Sequence, residues 1–306
     1  MIAISEVASS VPGAVATGLS ARGLGDPVAT APGTDLAIRS QSQNQKSQMR
    51  ITATIITFNE AENIRAACES VAWADEIVVV DSGSTDATRD IAVGCGARVI
   101  VNSWPGFAAQ KQLAVEAATN DWIFSLDADE RVSPELLASI LSLRDAAEFQ
   151  LAHGYRIPRR AFYMGRWIRG GGWYPDYQLR LFHRLHGRWG PRLIHESVTM
   201  NDGARIETLK GDLLHYTVRD AAQHRRAIEE RYAPLGAQQM YRDGKRSSPL
   251  RRALAGPAAF VRSYVLKGGF RDGPAGLTIA KFAAYHASLK HSILLQLQSR
   301  NQDAEG

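Results

Sequence analysis

The chain has 306 residues, of which 45% are hydrophobic and 22% charged, with a formal charge of +5. These are the proportions of an ordinary globular protein, large enough for one domain plus an appendage. Two cysteines, Cys68 and Cys95, exclude a disulfide framework, and no stretch approaches the ~20 apolar residues needed to span a bilayer. Both cysteines fall in expected helices, which suits a reduced intracellular protein. The N-terminus lacks a basic region and Glu6 interrupts its apolar run, so a secretory signal is not expected.

The charge is unevenly spread. Residues 219–300 hold fifteen Lys/Arg against five Asp/Glu, which leaves the remainder net acidic. A basic C-terminal third points to a local anionic partner: nucleic acid, a membrane surface or an acidic substrate.

Residues 1–48 are rich in Ala, Gly, Ser, Pro and Thr and end in "RSQSQNQKSQ", a composition that predicts a disordered extension. From Ile51 the pattern changes. "ITATIITF" (51–58), "EIVVVD" (76–81), "ARVIVN" (97–102) and "DWIFSLD" (121–127) are short β-branched runs, apolar nearly throughout, separated by helical patterns at about 60–72, 84–95 and 107–119. Strands apolar on both faces and alternating with helices predict an α/β fold, a mostly parallel, Rossmann-like sheet with helices on both faces. Ligands bind such sheets at the carboxyl ends of the strands. The polar punctuation falls there: "NE" after the first strand, "DSGSTD" after the second, "DADE" after the fourth.

The last of these carries the most chemistry. Side chains alternate along a strand, so Asp127 and Asp129 share a face while Ala128 points into the packing. Two carboxylates at a strand tip suit Mg²⁺ or Mn²⁺, ions that keep open positions for water and phosphate oxygens. Acids packed this closely repel one another, so cations are expected beside them. Ser133 and Pro134 then start a helix as N-cap and first residue. The plain alternative is that these acids decorate a loop before that helix. In "VVVDSGSTDATRDIA" (78–92), Asp81 could accept hydrogen bonds from a base or ribose, with Gly83 admitting a flat ligand; an ordinary capped turn would use the same residues. "TFNEAENI" (57–64) lacks the glycines of a dinucleotide fingerprint or a P-loop.

"TIITFNEAENI", "IVVVDSGSTDAT" and "DWIFSLDADE", in this order, resemble the nucleotide-sugar-binding half of family 2 glycosyltransferases with the GT-A fold. "GGWYPDYQLRLFHR" (171–184), "LIHESV" (193–198) and "GGFRDGPAGL" (268–277) are similar to the branch that adds hexose to lipopolysaccharide inner core. The resemblance covers roughly residues 50–295. It implies a GT-A catalytic domain over 49–215, with a nucleotide-sugar half at 49–132 and an acceptor half at 133–215, followed by a basic amphipathic helical extension over 216–300.

The resemblance also implies roles. Thr57, Asn59, Glu60 and Asp81 would line a uridine pocket, with Lys111 and Gln112 beside the nucleotide and Asp127 near ribose and diphosphate. Asp129 would bind a divalent metal, Mn²⁺ or Mg²⁺, joined by Asp127 and His195. The family commonly has two acids after the second strand, but here Ser82 follows Asp81. "HE" (His195-Glu196) stands where the family carries its catalytic Glu-Asp pair, making Glu196 the first candidate for general base and Asp176 the second. The implied reaction is inverting transfer of a hexose, glucose by the branch, from a UDP-sugar to a glycolipid hydroxyl at the cytoplasmic face of the inner membrane.

Residues 150–194 contain nine arginines, no lysine and one acid, Asp176, with Trp167, Trp173 and Trp189 among them. Guanidinium grips phosphate and carboxylate bidentately and stacks on aromatics, so this region is expected to bind the acceptor, through residues such as Arg169, Trp173 and Arg180. A solvated basic face with tryptophan as core filler is the bland alternative. The basic helical tail suits an anionic membrane surface or a helical cover over the catalytic domain; nucleic acid is not expected as a partner, because no module for it is present. Two other functions fit parts of this pattern: a sugar-phosphate nucleotidyltransferase, which would require a Gly-rich turn after the first strand, and a non-catalytic membrane-associated scaffold.

Overall fold

The computed structural model describes residues 49–147, 150–190, 197–216 and 221–305. The expectations for residues 1–48, His195 and Glu196 lie outside the described residues.

The first half forms β1 (Ile51–Thr57), α1 (Ile64–Ser70), β2 (Glu76–Asp81), α2 (Thr88–Gly94), β3 (Arg98–Val101), α3 (Phe107–Ala117) and β4 (Trp122–Asp127). β3, β2, β1 and β4 lie side by side and parallel. The apolar runs of β1, β2 and β4 are explained by burial on both faces, whereas β3, at the sheet edge, is only partly covered. Ile51, Ala53, Ile55 and Val79 pack with α1 and α2. Ile56, Val78 and Val80 pack on the opposite side against Ala114 of α3. The first two helices begin four residues later than expected, because the residues after β1 and β2 are occupied in bonding one loop to the other.

β5 (Glu130–Val132) and α4 (Pro134–Arg144) follow, and Ser133 caps α4 by accepting from the Leu136 amide at 3.2 Å. The arginine-rich region supplies β6 (Gly154–Tyr163), β7 (Arg166–Trp167), β8 (Asp176–His183) and β9 (Gly187–Gly190). β10 (Ser197–Met200) pairs with β9; β11 (Ile206–Thr208) and β12 (Leu213–His215) both pair with β6. β8 runs antiparallel between β4 and β6, so the arginine-rich strands join the same curled sheet as the acidic tips.

The C-terminal region is helical, as its pattern predicts: α5 (Ala221–Ala227), α6 (Ala233–Arg242), α7 (Pro249–Val261) and α8 (Gly273–Glu305). None of the described helices is long and apolar enough to cross a membrane. The glycines of two distant motifs meet face to face. A Cβ on Gly170 would lie 2.4 Å from the Gly268 carbonyl oxygen. Buried Asp272 accepts from the amides of Arg169 (3.0 Å) and Gly170 (2.7 Å). This clasp ties the helical region to the sheet domain. Cys68 lies in α1 and Cys95 just after α2, both as free thiols; burial pushes the Cys68 thiol up to about 12.

Candidate active site

Strand register brings the polar tips to one end of the sheet. Thr57 stands opposite Asp81, and Ile56 opposite Asp127. The Thr57 hydroxyl is buried and has no hydrogen-bond partner among the described residues, an orphan at a strand tip that a ligand can satisfy. Asn59 adopts a left-handed conformation (φ 53°), which its short amide side chain tolerates. Its amide donates to Ser84 Oγ and its Oδ1 accepts from the Thr85 amide, each at 2.8 Å. The Glu60 amide donates to Thr88 Oγ1 at 2.8 Å, while its carboxylate accepts from Asn63. Asp81 is fully buried; Oδ1 accepts from the amides of Gly83 (3.0 Å) and Ser84 (2.8 Å), and Oδ2 from the Ser84 hydroxyl. Asn59, Glu60 and Asp81 therefore shape the two loops that rim the sheet end.

The cations expected beside the DADE acids are there. Lys111, buried on α3, places Nζ 2.9 Å from Asp127 Oδ1, and Arg180, buried on β8, places a guanidinium nitrogen 2.9 Å from Asp127 Oδ2. The same Arg180 nitrogen reaches Glu130 Oε1 at 2.9 Å, while Glu130 Oε2 accepts from the Asp127 amide at 2.9 Å. Arg159 approaches Glu130 at 3.5 Å and chelates Asp176 Oδ2 at 2.7 and 3.0 Å. Burial works against charge on Asp127, but Arg180 and then Lys111 hold its carboxyl well below the usual carboxylate range. The Trp189 ring lies 4.7 Å from Lys111 Nζ, and its backbone amide donates to Gln112 Oε1 at 3.0 Å. A network of three cations and three carboxylates thus joins α3, β4, β5, β6 and β8.

Asp129 faces a different partner. His215, at the end of β12, places Nε2 3.3 Å from Asp129 Oδ2, and the Tyr216 amide donates to the Asp129 carbonyl at 2.9 Å. The position follows from β12 pairing antiparallel with β5, which sets His215 opposite Glu130. Burial disfavours the charged imidazole, but the Asp129 hydrogen bond and charge outweigh it and raise the pKa of His215 above its ordinary value. Carboxylate oxygen and imidazole nitrogen are donors to a divalent ion, and both side chains keep some exposure. Among the described residues, no three His, Cys, Asp or Glu side chains converge to enclose an ion. The pair fits an open site, completed by ligands from outside.

His215 was not among the expected residues. The apolar run "DLLH" ending in a polar tip carries the same signature as the acidic strand ends, but it is only three residues long. Asp176, at the start of β8, gives one oxygen to Arg159 and the other to Gln178 at 2.8 Å. Trp173 packs against the rings of Tyr163 and His224. Arg169 lines a cavity of about 630 Å³ shared with Arg160, Arg166 and Arg271. Arg180 is thus grouped with Asp127 and Lys111, whereas Arg169 is at this separate cavity.

Comparison with known proteins identifies the family. The profile of Glycosyl transferase family 2 matches residues 52–207. The lipopolysaccharide core biosynthesis glycosyltransferase LpsC of Rhizobium meliloti is 31% identical over 259 residues, covering 81% of this chain and 93% of that protein. An uncharacterized glycosyltransferase of Rickettsia bellii is 30% identical over 83% of this chain and 91% of its own length. Among solved structures, Staphylococcus aureus TarS aligns with 74% of this chain and 46% of its own at 14% identity and a TM-score of 0.40. Glucosyl-3-phosphoglycerate synthase from Mycobacterium tuberculosis, crystallised with Mn²⁺, UDP and glucosyl-3-phosphoglycerate, aligns with 45% of this chain and 51% of its own at 22% identity and a TM-score of 0.32.

Proposed function

The chain belongs to glycosyl transferase family 2, and from that premise we propose that it moves a hexose, glucose first among the candidates, from a UDP-sugar to a hydroxyl of a glycolipid in lipopolysaccharide core assembly, with inversion at the anomeric carbon. The observation that carries this reading is the adjacency of two unlike subsites at one sheet end: Asp127 held between Lys111 and Arg180, and Asp129 paired with His215.

The residues divide the work. The orphan hydroxyl of Thr57 and the two loops shaped by Asn59, Glu60 and Asp81 receive the uridine. Asp127, fixed as an anion, accepts from ribose hydroxyls, and Lys111 and Arg180 lend positive potential to the neighbouring diphosphate. Asp129 and His215 would hold a divalent cation, which offsets the charge gathering on the departing UDP. The acceptor hydroxyl is a poor nucleophile, so a carboxylate must take its proton during attack, an effect worth roughly 10²–10⁴-fold. Glu196 is assigned that role ahead of Asp176, whose oxygens are already engaged by Arg159 and Gln178.

The reading includes a membrane address. Leu250, Leu254, Val261, Val265, Leu266 and Phe270 are all exposed, and Arg251, Arg252, Arg262 and Lys267 lie among them with no acid between Asp243 and Asp272. Apolar side chains set in a basic field suit an anionic lipid surface. The test of the transferase reading is UDP release from UDP-glucose with a truncated-core lipopolysaccharide acceptor. It should require Mn²⁺ or Mg²⁺ and yield a β-linked product; a retained anomeric configuration, or full turnover in excess chelator, would overturn it.

A further inference from the structure

Four arginines converge where no part of the donor site requires them. The β6–β7 hairpin turns through Met164 (φ 49°) and Gly165 (φ 77°), the positive angles of a tight two-residue connection, and so presents Arg166 and Trp167 at its tip. The loop that follows supplies Arg169. The Asp272 clasp and the Gly170–Gly268 contact bring Arg271 to the same place across about a hundred residues of chain. With Arg160 and Phe162 these residues line the 630 Å³ cavity.

The charge there is not balanced. Arg160 has Asp212 at 3.5 Å, but Arg166, Arg169 and Arg271 have no carboxylate within 4.0 Å among the described residues. Arg159, Arg180 and Arg184 each have a carboxylate partner by contrast. Guanidiniums left together repel one another unless an anion joins them. The cavity also has an aromatic wall leading toward Asp129. Phe162 meets Trp167 edge-on at 5.0 Å, Trp167 meets Tyr216 at 5.4 Å, and the Tyr216 amide bonds to Asp129.

We propose that this cavity is the anion subsite for the acceptor: Arg166, Arg169 and Arg271 bind a phosphate or carboxylate carried by the acceptor sugar. Its ring rests on Trp167 and Tyr216, so that a hydroxyl extends toward Asp129 and His215. The proposal rests on the transferase reading and deepens it by naming the acceptor's chemistry: a glycolipid whose accepting region is anionic.

The experiment uses the full chain with saturating UDP and Mn²⁺, so that the donor pocket is filled. Ligand-observed NMR then compares glucose 6-phosphate, glucuronate and neutral methyl glucoside. At least one anionic sugar should bind about tenfold or more tightly than the neutral one, as charge-assisted contacts require; which one identifies phosphate or carboxylate as the group read. The R166Q/R271Q variant should lose that advantage while its affinity for UDP, measured separately by calorimetry, stays within about twofold. Equal binding of all three sugars to the wild type, or an undiminished preference in the variant, would overturn the subsite. Failure of the wild type to bind UDP would instead count against the donor reading.

Discussion

His215 Nε2 lies 3.3 Å from Asp129 Oδ2, joining the last residue of β12 to the second acid of the Asp-Ala-Asp triplet. No other described histidine makes an ion pair with these acids. If the two side chains share a metal, Asp129→Ala should lower kcat/KM for hexose transfer by about 10²-fold or more, and His215→Ala by about 10- to 100-fold. Neither should lower thermal stability appreciably, because both side chains are partly exposed. Transfer kinetics beside a melting curve check this; a His215→Ala enzyme with wild-type turnover would remove His215 from the site.

Arg180 and Asp127 make a different prediction. Arg180→Met leaves the Asp127 and Glu130 carboxylates facing each other in the interior without that partner. Breaking a buried pair in this way costs about 3–5 kcal/mol. Urea denaturation should show that loss, and adding Glu130→Gln should restore part of it, since one uncompensated charge is removed with its partner.

Glu76 separates stability from activity. At the amino end of β2, its carboxylate accepts from Thr52, the amide and hydroxyl of Thr119, and Arg98. Burial works against the charge, but the bonds from Thr119, Arg98 and Thr52 bring its pKa to about 2 from 4.5. A depressed carboxylate contributes stability that is fully present above the unfolded value and is lost as pH falls through the folded one. Glu76→Gln should therefore lower stability by about 2 kcal/mol at neutral pH, with the deficit shrinking between about pH 4.5 and pH 2. Because Glu76 sits at the opposite end of β2 from Asp81, kcat/KM should not change.

The exposed face of α7 and the turn beyond it predicts lipid binding. The full chain should sediment with vesicles containing about 30% phosphatidylglycerol and leave neutral phosphatidylcholine vesicles in the supernatant. Replacing Leu250, Leu254 and Leu266 by Ser should weaken the association about tenfold or more without changing UDP affinity. Equal binding to both vesicle types would remove the anionic surface as partner.

The first half of the molecule was legible because its signals are local. β2 is in place to the residue and β1, β3 and β4 to within one or two, since β-branched apolar runs mark strands, whether buried on both faces as β1, β2 and β4 are or at the sheet edge as β3 is. The sheet-end position of the acids follows from those strands alone. What local reading does not contain is adjacency. Arg180, expected at the acceptor, is the counterion of Asp127 because β8 pairs with β4. His215 meets Asp129 because a three-residue strand pairs with β5. The two glycine motifs, Gly170–Gly172 and Gly268–Gly269, are separate in sequence and become one contact only after folding. The first helix starts later than its composition predicts for a related reason: Asn59 through Asn63 have helical composition, but the bonds to Ser84, Thr85 and Thr88 hold the start of that segment as a loop.

The most direct measurement is calorimetric titration of UDP into the wild-type chain and into Asp129→Ala/His215→Ala, each with Mn²⁺ and with chelator. A sugar-nucleotide diphosphate gripped through a cation at these two side chains predicts at least about tenfold tighter UDP binding with Mn²⁺ in the wild type, and no such gain in the double variant. Identical UDP affinity in all four titrations would contradict it.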